Sequence, residues 1–218
     1  MAKSILVFCA LISILNRSNA TSFVVEPQSK TIQEKMSRLS NVEKTSTRVN
    51  QDMLPTPYNY LLTQPLMTKG IEKYYQRTPI IQMIYAVKNR RNNTYSRAIM
   101  MLIDSSKARN NVELAQRRQE TMVVELAFIT MNFNALPKEI ITAVLNTNIP
   151  FGTLLSDNHV KVSITGRTYF SVKCNKELAS LTHCNLNSII YGRTNTIIRA
   201  VDNQWLAGVV EILPGFLN

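Results

Sequence analysis

The residue of this sequence with the most chemical potential is Glu211, because it lies inside the apolar segment WLAGVVEIL of residues 205–213. If this segment is a β-strand, its side chains alternate between two faces. Both faces are then apolar apart from Glu211, which predicts a central strand that is covered on both sides. A carboxylate at such a position is costly unless it is neutral, hydrogen-bonded or paired with a cation.

Two interpretations of Glu211 stay open at this stage. In the first, the carboxylate forms a buried ion pair with an internal arginine, for which Arg193 and Arg167 are the candidates. In the second, Glu211 stands at one end of a buried polar pocket and an arginine stands at the other, so that the pocket binds a small ligand.

Other catalytic and cofactor motifs are absent from the sequence. It contains no HExxH, P-loop, GxSxG or GxGxxG motif. The chain has only two histidines, and the spacing of its cysteines fits no zinc signature. We therefore predict neither a metal site nor a cofactor.

The chain has 218 residues and a net charge of +11, which suggests anionic partners. The basic residues are scattered. The runs KNRR at 88–91 and QRR at 116–118 fall in predicted turns and carry no interleaved aromatic residues. A nucleic-acid surface requires a continuous basic stripe, with aromatics if the strand is single. We therefore expect a monomer that binds a small anionic molecule and no nucleic acid.

The N-terminal part of the chain has the pattern of targeting sequences. Residues 1–20 combine an early lysine, a short apolar stretch and a Ser-x-Ala ending, which predicts a secretory signal peptide. Residues 21–52 form a polar linker, a short amphipathic helix with Met36 and Leu39 on one face, or a second targeting segment for a complex plastid. The folded domain is then expected at 53–218. No later segment is apolar for long enough to span a membrane.

Two further features agree with passage through an oxidising secretory compartment, where we expect the protein to be secreted or lumenal. Cys174 and Cys184 remain after removal of the leader and are predicted to form a disulfide. Asn92 begins the triplet NNT, an acceptor site for N-glycosylation in a predicted turn.

Hydrophobic periodicity predicts an α+β fold, with a single antiparallel sheet flanked by helices. Segment 96–104 is expected to be a strand or the end of a loop, and 149–155 a turn. Segments 110–116 and 121–131 are expected to form a long hairpin. Helices are predicted at 59–75, interrupted near Pro65, and at 136–148. The remaining strands are predicted at 79–89, 159–174, 188–201 and 204–213.

Four segments in a shared order resemble the chorismate lyase family over about residues 59–218. The C-terminal part YGRTNTII…WLAGVVEILPG resembles the family's closing signature, a Gly-Arg strand followed by a strand with a glutamate. The upstream segments with this resemblance are LLTQPLMTKGIE, RNNVEL and ELAFITMNFNALPKEIITAVLNTNIPFGTLL.

The resemblance implies that helical elements close over a ligand buried on the antiparallel sheet. It also implies cleavage of chorismate to 4-hydroxybenzoate and pyruvate without a cofactor. Met67, Phe151 and Glu211 match ligand-contacting positions of the family. The arginine that binds the ligand carboxylate is assigned to Arg109, next to the position that the spacing indicates, Asn110. As a hypothesis, Glu211 and Arg109 are the catalytic pair.

Arg167 and Arg193 complete the predicted substrate-binding set. Because chorismate is not an extracellular metabolite, a second hypothesis keeps the fold and drops catalysis. The chain is then a secreted or lumenal binding protein for a small aromatic acid. A third hypothesis is a glycosylated interaction protein without a ligand pocket.

Overall fold

The structure, a computed structural model, describes residues 30–214. The predicted signal peptide at 1–20 and the start of the segment 21–52 lie outside these residues, so the localisation stays a prediction. Among the described residues, no helix is long and apolar enough to cross a membrane.

Seven strands and eight α-helices follow one another in the described part of the chain. The helices are α1 (Lys30–Ser40), α2 (Val42–Thr45), α3 (Tyr58–Leu61), α4 (Met67–Tyr75), α5 (Val112–Arg117), α6 (Lys138–Asn146), α7 (Phe151–Asp157) and α8 (Lys176–Thr182). The strands are β1 (Thr47–Val49), β2 (Ile80–Asn89), β3 (Thr94–Asp104), β4 (Thr121–Asn132), β5 (Val162–Lys173), β6 (Ile189–Arg199) and β7 (Trp205–Leu213).

All seven strands belong to one sheet with the order β1-β5-β6-β7-β4-β3-β2, and every neighbouring pair is antiparallel. The predicted α+β architecture of one antiparallel sheet flanked by helices is therefore confirmed. Strand β7 lies in the middle of the sheet, as the apolar character of both its faces predicts. Its position places Glu211 near the centre of the molecule.

The two faces of the sheet carry separate hydrophobic clusters. On β4, Ala127 and Ile129 point to the face that α6 and α7 cover, where they pack with Phe151. Leu126 and Phe128 point to the opposite face. This alternation follows from the period of two of the strand. We call the face under α6 and α7 the pocket face, because the cavity described below lies on it.

The opposite face is covered by the N-terminal helices and by α8. Met36 of α1 and Leu39 of the same helix are buried there, next to the disulfide between Cys174 and Cys184. The short strand β1 pairs with β5 at the edge of the sheet. The fold therefore uses residues before 53, and the amphipathic-helix interpretation of this region agrees with α1.

Two predicted elements differ from the structure. Segment 110–116 is helical rather than extended, since the side chain of Asn111 accepts a hydrogen bond from Leu114 N (2.9 Å) and caps α5. Segment 149–155 contains the start of α7 instead of a turn, because Pro150 precedes the helix with a backbone suited to helix entry. Segment 96–104 belongs to β3, and the helix predicted at 59–75 is divided into α3 and α4 around Pro65.

Candidate functional site

A cavity of about 40 Å³ lies between the pocket face and the first residues of α4 and α7. Its floor is apolar, and its cover includes Met67 of α4 and Phe151 of α7, both 3% exposed. At one end it is lined by four polar side chains, which we call the polar end: Glu125, Arg193, Asn195 and Glu211.

Glu211 and Arg193 form a buried ion pair at the polar end. They are direct cross-strand partners in the β6–β7 register, so the sheet itself brings them together. Arg193 Nε donates to Glu211 Oε2, and Arg193 Nη1 donates to the carbonyl oxygens of Leu62 (2.8 Å) and Gln64. The first interpretation of Glu211 is thus realised, although its carboxylate also borders the cavity.

The close packing around this pair depends on Gly192. A Cβ at Gly192 would lie 2.5 Å from the carbonyl oxygen of Glu211 and against the ring of Phe170. Because the Glu211 carbonyl belongs to the backbone of β7, a larger residue at position 192 would push β6 away from β7 and displace the Phe170 ring. The Gly-Arg sequence therefore lets the arginine sit directly opposite the glutamate.

A second carboxyl group, Glu125, joins the polar end from β4. The residue is 2% exposed, and its carboxyl group lies next to that of Glu211. Burial raises the pKa of Glu125 well above its usual value, the neighbouring Glu211 raises it further, and Arg193 acts in the opposite direction. The sequence prediction missed this residue. Its signal was an acid inside the apolar run MVVELAF of residues 122–128.

Two acceptors at the polar end have no partner among the described residues. Glu125 Oε2 and Asn195 Oδ1 are buried without a hydrogen bond. The other terminal atom of Asn195, Nδ2, donates to Glu211 Oε2 at 3.4 Å. Because buried polar atoms are nearly always hydrogen-bonded in native proteins, these two atoms identify places where a ligand or water can bind.

Arg97 of β3 is the second buried feature that the sequence prediction missed. It is 1% exposed, and its Nε, Nη1 and Nη2 have no hydrogen-bond partner among residues 30–214. Burial lowers the pKa of Arg97 to about 10, while Tyr95 counteracts this effect. Arg97 pairs in register with Ile129 and is two residues from Ile99, and both of these line the cavity. It therefore lies on the pocket face beside the floor.

Arg109, the expected ligand anchor, lies elsewhere. Its Nε donates to Asp104 Oδ2 at 2.6 Å, and its Nη2 donates to Glu120 Oε2 at 2.6 Å. The Arg109 hydrogen bond holds the pKa of Asp104 far below its usual value. This ion pair ties down the connection between β3 and β4, and Arg109 is not among the described residues that line the cavity. The expectation that Arg109 anchors the ligand is therefore wrong, because the loop after β3 pairs its guanidinium with Asp104 and Glu120.

Arg167 supports the cover of the cavity from outside. Its Nη1 donates to the carbonyl of Thr63 (2.7 Å) and its Nη2 to that of Gln64 (3.1 Å). Arg167 and Arg193 together hold the turn that precedes α4. The structure thus brings Met67, Phe151, Arg193 and Glu211 to one cavity. It places Arg167 behind the cover, the disulfide on the opposite face, and Asn92 at the exposed β2–β3 turn.

Comparison with known proteins finds no matching protein-family model and no matching curated protein. Solved structures with a similar fold include the effector domain of PhnF from Mycobacterium smegmatis, with 6% identity, a TM-score of 0.47 and coverage of 78% of this chain and 92% of that one. A regulator from Escherichia coli CFT073 has 11% identity, a TM-score of 0.42 and coverage of 63% and 97%. A GntR-family transcriptional regulator from Bacillus cereus has 8% identity, a TM-score of 0.42 and coverage of 64% and 96%.

These findings correct the expected identity. The sequence resemblance implied a chorismate lyase, whereas the similar structures named above are two regulators and the effector domain of PhnF. The assignment to chorismate lyase, the reaction giving 4-hydroxybenzoate and pyruvate, and the secreted binding protein for an aromatic acid are therefore wrong. The description as a glycoprotein with a signal peptide has no support either. Because the similar structures include a transcriptional regulator, the exclusion of nucleic acid as a partner is withdrawn.

Proposed function

We propose that the described part of the chain is a binding domain for a small molecule with an anionic group, and that Arg97 is the residue that binds this group. The observation that carries the proposal is the absence of any hydrogen bond to the Arg97 guanidinium within residues 30–214. The proposal concerns binding and assigns no reaction to the chain.

The energetics of burial support a ligand at Arg97. An unpaired ion inside a protein costs several kcal/mol even after relaxation, or about 3–5 kcal/mol where one partner of a buried pair is removed. With a pKa of about 10, Arg97 keeps its charge at neutral pH and does not escape this cost by losing a proton. A carboxylate or phosphate oxygen would satisfy the guanidinium, with bidentate geometry available to either group.

Arg97 lies beside the cavity rather than in its lining, next to the lining residues Ile129 and Ile99. The apolar floor separates it from the polar end, so a ligand anchored at Arg97 would extend over Ile129 and Ile99. At about 40 Å³ the cavity holds one or a few waters and is smaller than a ring-sized ligand. Binding of a larger molecule therefore requires the covering residues of α4 and α7 to move outward.

Anion binding by the full chain tests the proposal. Thermal unfolding is followed with increasing phosphate, acetate and succinate at constant ionic strength, for the wild type and for Arg97→Met. We expect at least one anion to stabilise the wild type in a saturable manner. The apparent affinity should fall about 100-fold in Arg97→Met, since two charge-assisted hydrogen bonds contribute about 3 kcal/mol.

Arg90→Met is the matched control, because Arg90 is exposed on the β2–β3 turn and its loss changes the net charge equally. This variant should bind anions as the wild type does. Equal binding by wild type and Arg97→Met, or equal loss in both variants, would overturn the role of Arg97.

A further inference from the structure

The polar end of the cavity is rich in acceptors that lack donors. Glu125 Oε2 and Asn195 Oδ1 have no partner among the described residues, and the carboxylate of Glu211 borders the same space. Arg193 and the amide of Asn195 both donate to Glu211 Oε2, and the protonated Glu125 carboxyl group adds one further donor. A ligand group at this end must therefore donate hydrogen bonds rather than accept them.

The polar end also has fewer cationic side chains than carboxyl groups. The titratable residues among the cavity-lining residues are Glu125 from β4, Glu211 from β7 and Arg193 from β6. Arg193 is the ion-pair partner of Glu211, so Glu125 has no cation of its own. The cover contributes Thr68 and apolar residues but no titratable group to this lining. Two buried carboxyl groups in contact cannot both ionise beside a single arginine without a large cost.

We propose that the ligand carries an ammonium group as well as its anionic group, and that Glu125 loses its proton to the solvent when the ammonium group binds. The inference rests on the proposed function, since Arg97 supplies the other end of the site. An ammonium group has three donors, which match Glu125, Glu211 and the Asn195 carbonyl. Its charge balances the second carboxylate, so that two cations then face two carboxylates.

The distance between the two ends limits the size of this zwitterion. Arg97 and Glu211 are separated by two strand spacings and two residues along the strand, which places their Cα atoms about 12 Å apart. A charge-assisted hydrogen bond at each end takes up about 3 Å of this distance, so the charged groups of the ligand are separated by about 6 Å, which corresponds to a few carbon atoms. The ω-amino acids from 4-aminobutanoate to 6-aminohexanoate cover this range.

Calorimetry of the full chain with these three amino acids tests the inference. Each is compared with the hydroxy acid of the same length, which keeps the carboxylate and replaces the ammonium by a neutral donor. Titration in buffers of different ionisation enthalpy gives the number of protons released. For at least one length we expect the amino acid to bind at least tenfold more tightly, with release of close to one proton, while the hydroxy acid releases none.

The variant Glu125→Gln separates the two roles of the site. It should remove the proton release and reduce the preference for the amino acid, while binding of the hydroxy acid is retained. Glu139→Gln, at an exposed position of α6, is the matched control and should behave as the wild type. If the amino and hydroxy acids bind the wild type equally, or if binding releases no proton, the inference is overturned and the anion site at Arg97 stands. If the wild type binds none of the amino acids, hydroxy acids or simple anions, both this inference and the proposed function are overturned.

Discussion

Arg97 and Arg193 are each 1% exposed and lie on the same face of the same sheet, yet their surroundings are opposite. Arg193 is paired with Glu211 and donates to two carbonyl groups of the turn before α4. Arg97 has no hydrogen bond to any described residue. Two equally buried arginines therefore have different roles: Arg193 stabilises the fold, whereas Arg97 is the residue that we propose binds a ligand.

The difference follows from the strands that carry the two residues. The register places a glutamate directly opposite Arg193, whereas it places Ile129 opposite Arg97. A buried arginine between apolar neighbours gains nothing from the folded state that would compensate its desolvation. The contrast implies that replacement of Arg193 harms folding, while replacement of Arg97 harms binding.

The largest expected effect on stability is that of Arg193→Met. The substitution leaves Glu211 without its cation and the Leu62 carbonyl without its donor, and the Gln64 carbonyl keeps only the hydrogen bond from Arg167. We expect a loss of about 3–5 kcal/mol of unfolding free energy, measured by urea denaturation at pH 7. A double variant with Glu211→Gln should recover part of this loss, because the buried charge is then removed. A loss below about 1 kcal/mol, the range of an exposed pair, would contradict the structural role of Arg193.

A smaller effect is expected at a third arginine, Arg109, which is half-buried against Asp104 and Glu120. The pKa of Asp104 is lowered in the folded protein, so its stabilising contribution is complete above the unfolded value of about 4. This contribution is lost as the pH falls through the folded value. The difference in unfolding free energy between wild type and Asp104→Asn should therefore shrink between pH 6 and pH 2. A difference that is constant over this range would show that ionisation of Asp104 does not matter.

Much of the fold could be predicted because its signals are local. The alternation of apolar residues around Glu211 indicated a central strand, and the short β6–β7 connection made Arg193 a natural candidate for its partner. The ends of the cavity cover, Met67 and Phe151, came from the resemblance to a known family. That family assignment was wrong, although the fold that it implied is correct.

The unpredicted parts depend on register and on distant contacts. Counting along the sequence placed the ligand arginine near Asn110, with Arg109 as the adjacent candidate, because segment 110–116 was treated as a strand. The structure makes it a capped helix, and Arg97 of the preceding strand β3 places a guanidinium without a hydrogen bond to any described residue on the pocket face. The sequence does contain an indication of this residue, because Tyr95, Arg97 and Ile99 share one strand face and Arg97 is the charged residue among them. No local pattern shows that Glu125 contacts Glu211, since that contact spans β4 and β7.

The most direct test is the unfolding free energy of Arg97→Met relative to the wild type, in a buffer without phosphate or carboxylate. Methionine fills a similar volume and removes the unpaired charge. We expect the variant to be as stable as the wild type or more stable by about 1–4 kcal/mol, as found when buried charges are replaced by apolar residues. A loss of about 3–5 kcal/mol, as expected for Arg193→Met, would mean that Arg97 has a partner within the protein and is part of the fold.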